Sequence, residues 1–225
     1  MYTHHAAGEH LLSAAQMYFS VSAWGLALMY LYWSLFRPKI PFGIILLPII
    51  LLFLAGSVLF PYNNSAVSNS ADIPLWVMLH TIVIFLVTAS VIIGGVAGIL
   101  YLLQDYRLHR KEQPQEKIPL PSLEWSLAVC KKAVKAAAVF LAATVLTGSH
   151  LYQHCPASSR IRITVSDPLI IGTLLMFIFF VYAAGSVSFK TDKTGGRKLA
   201  VISVIAMLLL VLMILFGWFG SAHWR

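Results

Sequence analysis

Charged side chains are scarce in this chain of 225 residues. Asp, Glu, Lys and Arg together make up 11% of the sequence, whereas a soluble globular domain carries roughly 25%. Apolar residues account for 59%, and the mean hydropathy is +0.82. Such a composition cannot cover a domain with a water-compatible surface. It indicates a bundle of transmembrane helices, each of which needs about 20 apolar residues.

Cysteine and catalytic motifs are scarce as well. The two cysteines, Cys130 and Cys155, form neither a C-x-x-C redox motif nor a C-x-x-C-H heme-attachment motif. No P-loop, Ser-His-Asp pattern or pair of carboxylates stands out. The net charge of +8 resides in short loops without interleaved aromatic residues, so no nucleic-acid binding is expected. In a membrane protein, basic residues report orientation first.

Six apolar segments follow one another along the chain. The fold-class prediction is therefore all-α, a single membrane domain over residues 1–225 that forms a polytopic bundle of about six transmembrane helices. The fourth segment is the least hydrophobic and is expected to begin as an amphipathic stretch near Leu123. The loop of residues 104–132 is expected to be a solvated connector, because prolines interrupt it. The predicted spans are residues 11–36, 44–60, 75–103, 133–148, 168–187 and 199–218.

Lysine and arginine predict the orientation. Of the 16 basic residues, only Arg160, Arg162 and Arg225 fall on one side of the predicted bundle, which leaves thirteen on the other. Basic residues are enriched on the cytoplasmic side of membrane proteins. Both termini are therefore predicted to face outward, and Cys130 and Cys155 lie on opposite sides, so no disulfide between them is expected.

Histidine is the residue type that indicates chemistry. The predicted topology places seven of the eight histidines at or near the outer face, and only His109 inside. His80 and His223 fall at the outer ends of the third and sixth spans, where two imidazoles could ligate one heme iron. The alternative is that each is an interfacial histidine with no ligand. The eight are His4, His5, His10, His80, His109, His150, His154 and His223.

A second histidine pair is a weaker candidate. His150 and His154 are four positions apart, a spacing that puts both on one face if the helix extends that far. A pair of histidines without a third ligand is a weak indication of a metal site. Gly94, Gly95 and Gly98 on the third span predict close helix packing rather than a binding loop.

The order of these motifs resembles the cytochrome c assembly protein family, which comprises CcsA-, ResC- and HemX-type heme-handling membrane proteins. The similarity extends over roughly residues 41–225. The tryptophan-rich outer segment of that family would fall between Gly148 and Asp167, where this sequence has no tryptophan. The residues that carry the resemblance are His80, Gly98 to Lys111, Leu120 to Glu124, Thr144 to Gly148, Asp167 with Pro168, and His223 to Arg225.

The resemblance implies a function and a site. It implies heme held at the outer face between His80 and His223, with Arg160, Arg162 or Arg225 pairing with the propionates. The missing tryptophans favour heme binding or an accessory role over heme-lyase activity. The alternative is a non-catalytic membrane subunit or scaffold of a respiratory or biogenesis complex. Expected partners are membrane lipid and other membrane subunits, and the expected location is the bacterial cytoplasmic (inner) membrane.

Overall fold

The chain is all-helical over the part that the computed structural model describes. That part comprises the backbone of residues 3–36, 42–59, 75–110, 121–154, 168–189 and 193–223, with the side chains of 18–36, 43–58, 75–110, 121–153, 170–185 and 195–214. The prediction of an all-α fold is confirmed there. The six helices of the described residues are α1 (Thr3–Phe36), α2 (Phe42–Leu59), α3 (Leu75–His109), α4 (Leu123–His154), α5 (Pro168–Phe189) and α6 (Lys193–His223).

Helix α4 begins where the sequence supplies a cap. Ser122 follows Pro121, and its hydroxyl accepts a hydrogen bond from the backbone N–H of Trp125 at 3.3 Å. Glu124 adds a negative charge in the first turn, which the helix dipole favours. The prediction of a helical start near Leu123 is confirmed.

Helices α3 and α4 form an antiparallel hairpin in a single register. His80 contacts Thr147 near one end, and Trp76 contacts His150 beyond it. Further along, the Cys130 thiol donates to the Gly94 carbonyl at 3.6 Å. Most of the α4 side chains that face α3, at every third or fourth position, are small, which lets the two backbones approach closely. That buried stripe runs through Ser126, Cys130, Ala133, Ala137, Leu141, Thr144 and Thr147.

Helix α6 packs on α3 through the glycines that the sequence analysis singled out. A Cβ atom at Gly98 would lie 2.7 Å from the backbone oxygen of Ala200, and one at Gly95 would lie 2.5 Å from the Met207 sulfur. Such distances leave no room for a side chain at Gly98, because the neighbouring atom belongs to backbone. The predicted role of these glycines in close packing is confirmed.

The first two helices form a separate hairpin on the side of this core. Tyr30 of α1 lies against Gly43 of α2, and Phe19 lies against Gly56, so the two helices are antiparallel. Tyr18 ties the hairpin to the core through a 2.6 Å hydrogen bond between its hydroxyl and that of Thr88 on α3. Helix α5 packs against α4 and α6.

Three helices of the described residues are long and apolar enough to cross a membrane: Tyr18–Phe36, Leu75–His109 and Gly195–Ile214. Two shorter apolar helices, Gly43–Val58 and Ile170–Gly185, accompany them. Large apolar side chains lie on the outside of the bundle, such as Trp24 at 69%, Val58 at 78% and Tyr182 at 72% exposure. A soluble monomer rarely exposes so much contiguous apolar surface. The molecule is therefore suited to a membrane, while the number of crossings stays a prediction.

The connector between α3 and α4 is shorter than predicted. Residues 104–132 were expected to be solvated, but α3 continues to His109 and α4 starts at Leu123. Lys131, Lys132 and Lys135 are consequently helical residues. Their neighbour Ala133 lies against Gly94, so these lysines are level with the middle of α3.

Candidate functional site

Two of the predicted site residues meet at one end of the α3–α4 hairpin. We call this the histidine end and define it by Trp76, His80, Thr147 and His150. The opposite end, which we call the basic end, holds Asp105, His109 and Arg197. There the Asp105 carboxylate lies 3.6 Å from His109 and 3.9 Å from Arg197. The predicted separation of His109 from His80 and His150 is therefore confirmed along the bundle.

His80 is held by a hydrogen bond to Thr147. Its Nδ1 lies 2.7 Å from the Thr147 hydroxyl oxygen. That hydroxyl also lies 2.8 Å from the backbone carbonyl of Ala143 and 3.2 Å from that of Thr144, either of which can take its single proton. With the proton directed at Ala143, the Thr147 oxygen accepts from His80, and on this basis we assign the proton of His80 to Nδ1. The lone pair of Nε2 is left for a ligand.

This arrangement is the one that metal-binding histidines use. A ligating imidazole almost always donates its second ring N–H to an oxygen, which orients the ring and raises the basicity of the ligating nitrogen. Here the oxygen belongs to Thr147, itself buried against α3. The neutral ring is also the form that binds heme iron. The His80 environment thus fits an axial heme ligand.

Gly148 keeps space for the His80 ring. A Cβ atom at this position would lie 3.2 Å from Cε1 of His80 and 3.9 Å from each ring nitrogen. A Cβ atom there would require the His80 ring to shift by a few tenths of an ångström. Gly148 is therefore a positioning residue for His80.

His150 contacts α3 in a different way. Its ring stacks on Trp76 with the ring centroids 4.1 Å apart and an angle of 27° between the planes. Trp76 precedes His80 by four residues and so lies one turn away on the same side of α3. The stacked rings of Trp76 and His150 therefore lie at the histidine end, one helical turn from His80.

The second predicted heme ligand, His223, is the last residue of α6, and its side chain lies outside the described residues. Its depth follows from the register of α3 with α6. Gly94 lies against Ser203, and Gly98 lies against Ala200. In an antiparallel pair of helices, the numbers of residues at the same level have a constant sum, which here is 297 or 298. The same antiparallel register, extended along both helices, places His80 level with about residue 218. His223 is then about five residues further, or roughly 7 Å along the helix axis.

The other predicted site residues are less well defined. Helix α4 does extend to His154, so the spacing of His150 and His154 is helical, but the His154 side chain lies outside the described residues. Arg160, Arg162 and Arg225 also lie outside them. Within the described side chains, no three His, Cys, Asp or Glu residues form a group that could hold a metal ion.

Three residues at the two ends of the bundle were not identified from the sequence. They are Thr147 and Trp76 at the histidine end and Asp105 at the basic end. Thr147 lies on the buried stripe of α4, and Trp76 precedes His80 by one turn, so helical periodicity was the available signal for both. Asp105 was expected to be a solvated charge. Its side chain is only 21% exposed because α6 brings Arg197 beside it.

Comparison of the chain with protein-family models, with curated proteins and with solved structures found no match.

Proposed function

We propose that this chain is a heme-binding membrane protein that handles heme for cytochrome c biogenesis. The observation that supports the proposal most strongly is the His80–Thr147 hydrogen bond, which leaves Nε2 of His80 free of a proton and oriented by α4. Without that bond, an interfacial histidine would carry no preference between its two nitrogens. The motif order in the sequence adds the cytochrome c context.

In this proposal, the chain supplies two neutral imidazoles. His80 and His223 would hold the heme through their ring nitrogens, and the bound heme would supply a redox-active iron centre. Arg160, Arg162 and Arg225 would pair with the propionates through charge-assisted hydrogen bonds. Gly148 and Thr147 keep the His80 ring in place, and Trp76, stacked on His150, lies one helical turn from it.

The proposal includes a topology. All six helices cross the membrane, both termini face outward, and the histidine end lies at the outer face of the bacterial cytoplasmic membrane. The basic residues at the other end support this orientation. The antiparallel packing of α3 with both α4 and α6 also supports it, because the start of α3 and the ends of α4 and α6 then share one face.

A heme titration tests the proposal. Purified protein in detergent, titrated with hemin, should develop a Soret band that saturates at one heme per chain. Detergent micelles without protein should serve as the control for nonspecific hemin uptake. A protein whose spectrum matches hemin in empty detergent micelles would overturn the proposal.

A second candidate is a non-catalytic membrane subunit or scaffold. The absence of tryptophan from residues 149–166 favours it, as do the exposed apolar side chains on α2 and α5. Extraction in mild detergent should then recover partner subunits in fixed stoichiometry. Recovery of the chain alone and monodisperse, with heme bound, would favour the first proposal.

Replacing Thr147 should weaken heme binding through His80. Thr147→Val keeps the shape of the side chain but removes the oxygen that accepts the Nδ1 proton of His80. Because partners of this kind typically change metal affinity by about 10–100-fold, we expect at least a tenfold rise in the hemin dissociation constant. Thr147→Ser retains the hydroxyl and should bind hemin as the native protein does. Equal affinities in both variants would contradict the assigned role of Thr147.

Cysteine labelling tests the topology. In a background with Cys155→Ser, single cysteines at Ser68 and Ser158 should react with a membrane-impermeant thiol reagent applied outside intact cells. A cysteine at Gln113 should react only after the membrane is opened. Cys130 contributes no background because its side chain is buried. Labelling of Gln113→Cys from outside would reverse the orientation and remove the histidine end from the outer face.

A further inference from the structure

A lateral cleft opens between the α1–α2 hairpin and the core, toward the basic end. Its cavity volume is about 410 Å³. Helix α1 contributes Tyr32, Trp33 and Phe36 to the lining, and α4 contributes Trp125, Lys132 and Ala136. Trp33 and Trp125 meet edge to face across it, with their ring centroids 6.3 Å apart. The cleft is thus mainly apolar and partly aromatic, with Lys132 as the one charged residue among the described residues of its lining.

The depth of Lys132 along the bundle corresponds to a membrane boundary. Its neighbour Ala133 packs on Gly94, and the stretch of α3 from Leu75 to Gly94 measures about 30 Å, the thickness of a bilayer hydrocarbon core. If Leu75 marks one boundary of the hydrocarbon, Lys132 lies at the other. Tryptophan and tyrosine prefer this same depth, and Trp33 and Tyr32 lie there.

The charge of Lys132 is not balanced by the carboxylates that the structure describes. Asp105 is engaged by Arg197 and His109, and the other described carboxylate, Glu124, lies eight residues from Lys132, about 12 Å along α4. Lys131 and Lys135 add further positive charge nearby. A lysine at the membrane boundary gains most from an anionic group that reaches it from the lipid.

We propose that this cleft binds an anionic phospholipid. The headgroup phosphate contacts Lys132 at the rim, and an acyl chain enters the cleft between α1 and α4, alongside Trp33 and Ala136. Charge complementarity selects the headgroup, and the apolar lining accepts the chain. The lipid fills the gap between the α1–α2 hairpin and the core, where few side chains of the two units touch. This site lies at the opposite end of the bundle from the histidine end.

Native mass spectrometry of the full chain tests the proposal. The protein is reconstituted into nanodiscs that contain equal amounts of phosphatidylglycerol and phosphatidylcholine. It is then released from them, and the lipids that remain bound are counted by mass. The native protein should retain phosphatidylglycerol preferentially. Lys132→Gln should lower that preference about fivefold, the factor expected for one lysine near an anionic surface. Lys198→Gln, which removes the same charge from an exposed position on α6, should leave it unchanged.

A second variant distinguishes lipid binding in the cleft from attraction of lipid to general surface charge. Ala136→Phe fills the cleft without changing any charge and should reduce the retention of both lipids. Lys132→Arg should keep the preference. An unchanged preference in Lys132→Gln, or full retention in a folded Ala136→Phe protein, would overturn the proposal. So would equal losses in Lys132→Gln and Lys198→Gln, which would indicate only surface electrostatics. None of these measurements depends on heme.

Discussion

Replacing His80 and His223 together by alanine should abolish heme retention by the purified protein. In the proposed site each imidazole would supply one bond to the iron, and removal of both would leave only propionate and apolar contacts. Partners that merely orient a metal ligand change affinity by about 10–100-fold, so the loss of both ligands should exceed 100-fold. A pyridine hemochrome assay of protein expressed with added hemin measures the retained heme.

The single variants distinguish the loss of one iron ligand from a general disturbance of the protein structure. His80→Ala and His223→Ala should each leave five-coordinate iron, a shifted Soret band and weaker retention. His109→Ala removes a histidine from the basic end and should have the spectrum of the native protein. If the double variant keeps the native spectrum, the ligands lie elsewhere, and His150 with His154 becomes the pair to replace.

Replacing Gly98 by leucine should destabilise the core of the bundle. A Cβ atom there would already lie 2.7 Å from the backbone oxygen of Ala200 and 3.1 Å from the side chain of Val204. The backbone of α6 cannot yield as a flexible side chain would, so α3 and α6 must separate. We expect a loss of about 3 kcal/mol, at the upper end of the usual cost of overpacking. Thermal unfolding in detergent, followed by circular dichroism, measures the change.

Gly185 provides the matched control. Among the described residues, no atom lies within 4 Å of a Cβ built at this residue of α5, so Gly185→Leu adds the same side chain without a clash. Its unfolding temperature should equal that of the native protein or exceed it, because leucine favours helix more than glycine does. Equal stabilities of the two leucine variants would mean that α3 and α6 do not pack as described.

Much of the fold was predictable because apolar segments and helix breakers are local signals. The start of α4 near Leu123 follows from Pro121, the Ser122 cap and Glu124, all within four residues. The packing role of Gly98 also followed from the sequence, since small residues on a membrane helix allow close approach. Helix ends were less accurate where a helix continues past its apolar part, as α4 does to His154.

The surroundings of the site were not predictable from local signals. Thr147 lies 67 positions from His80, and only the register of α3 with α4 brings them together. The lysines of α4 show the same limit. Proline breakers and charge assigned Lys132 to the connector, whereas α4 extends past it and places it beside a cleft. Such pairings arise from packing between helices, which no single segment encodes.

The most direct test of the account is low-temperature electron paramagnetic resonance of the native protein reconstituted with hemin. Two imidazole ligands, His80 and His223, should give a purely low-spin ferric signal of the bis-histidine type. His80→Ala should convert this signal to the high-spin form of five-coordinate iron. A native protein that shows only high-spin iron, or only the signal of free hemin, would contradict the proposal that two histidines hold heme at this end of the bundle.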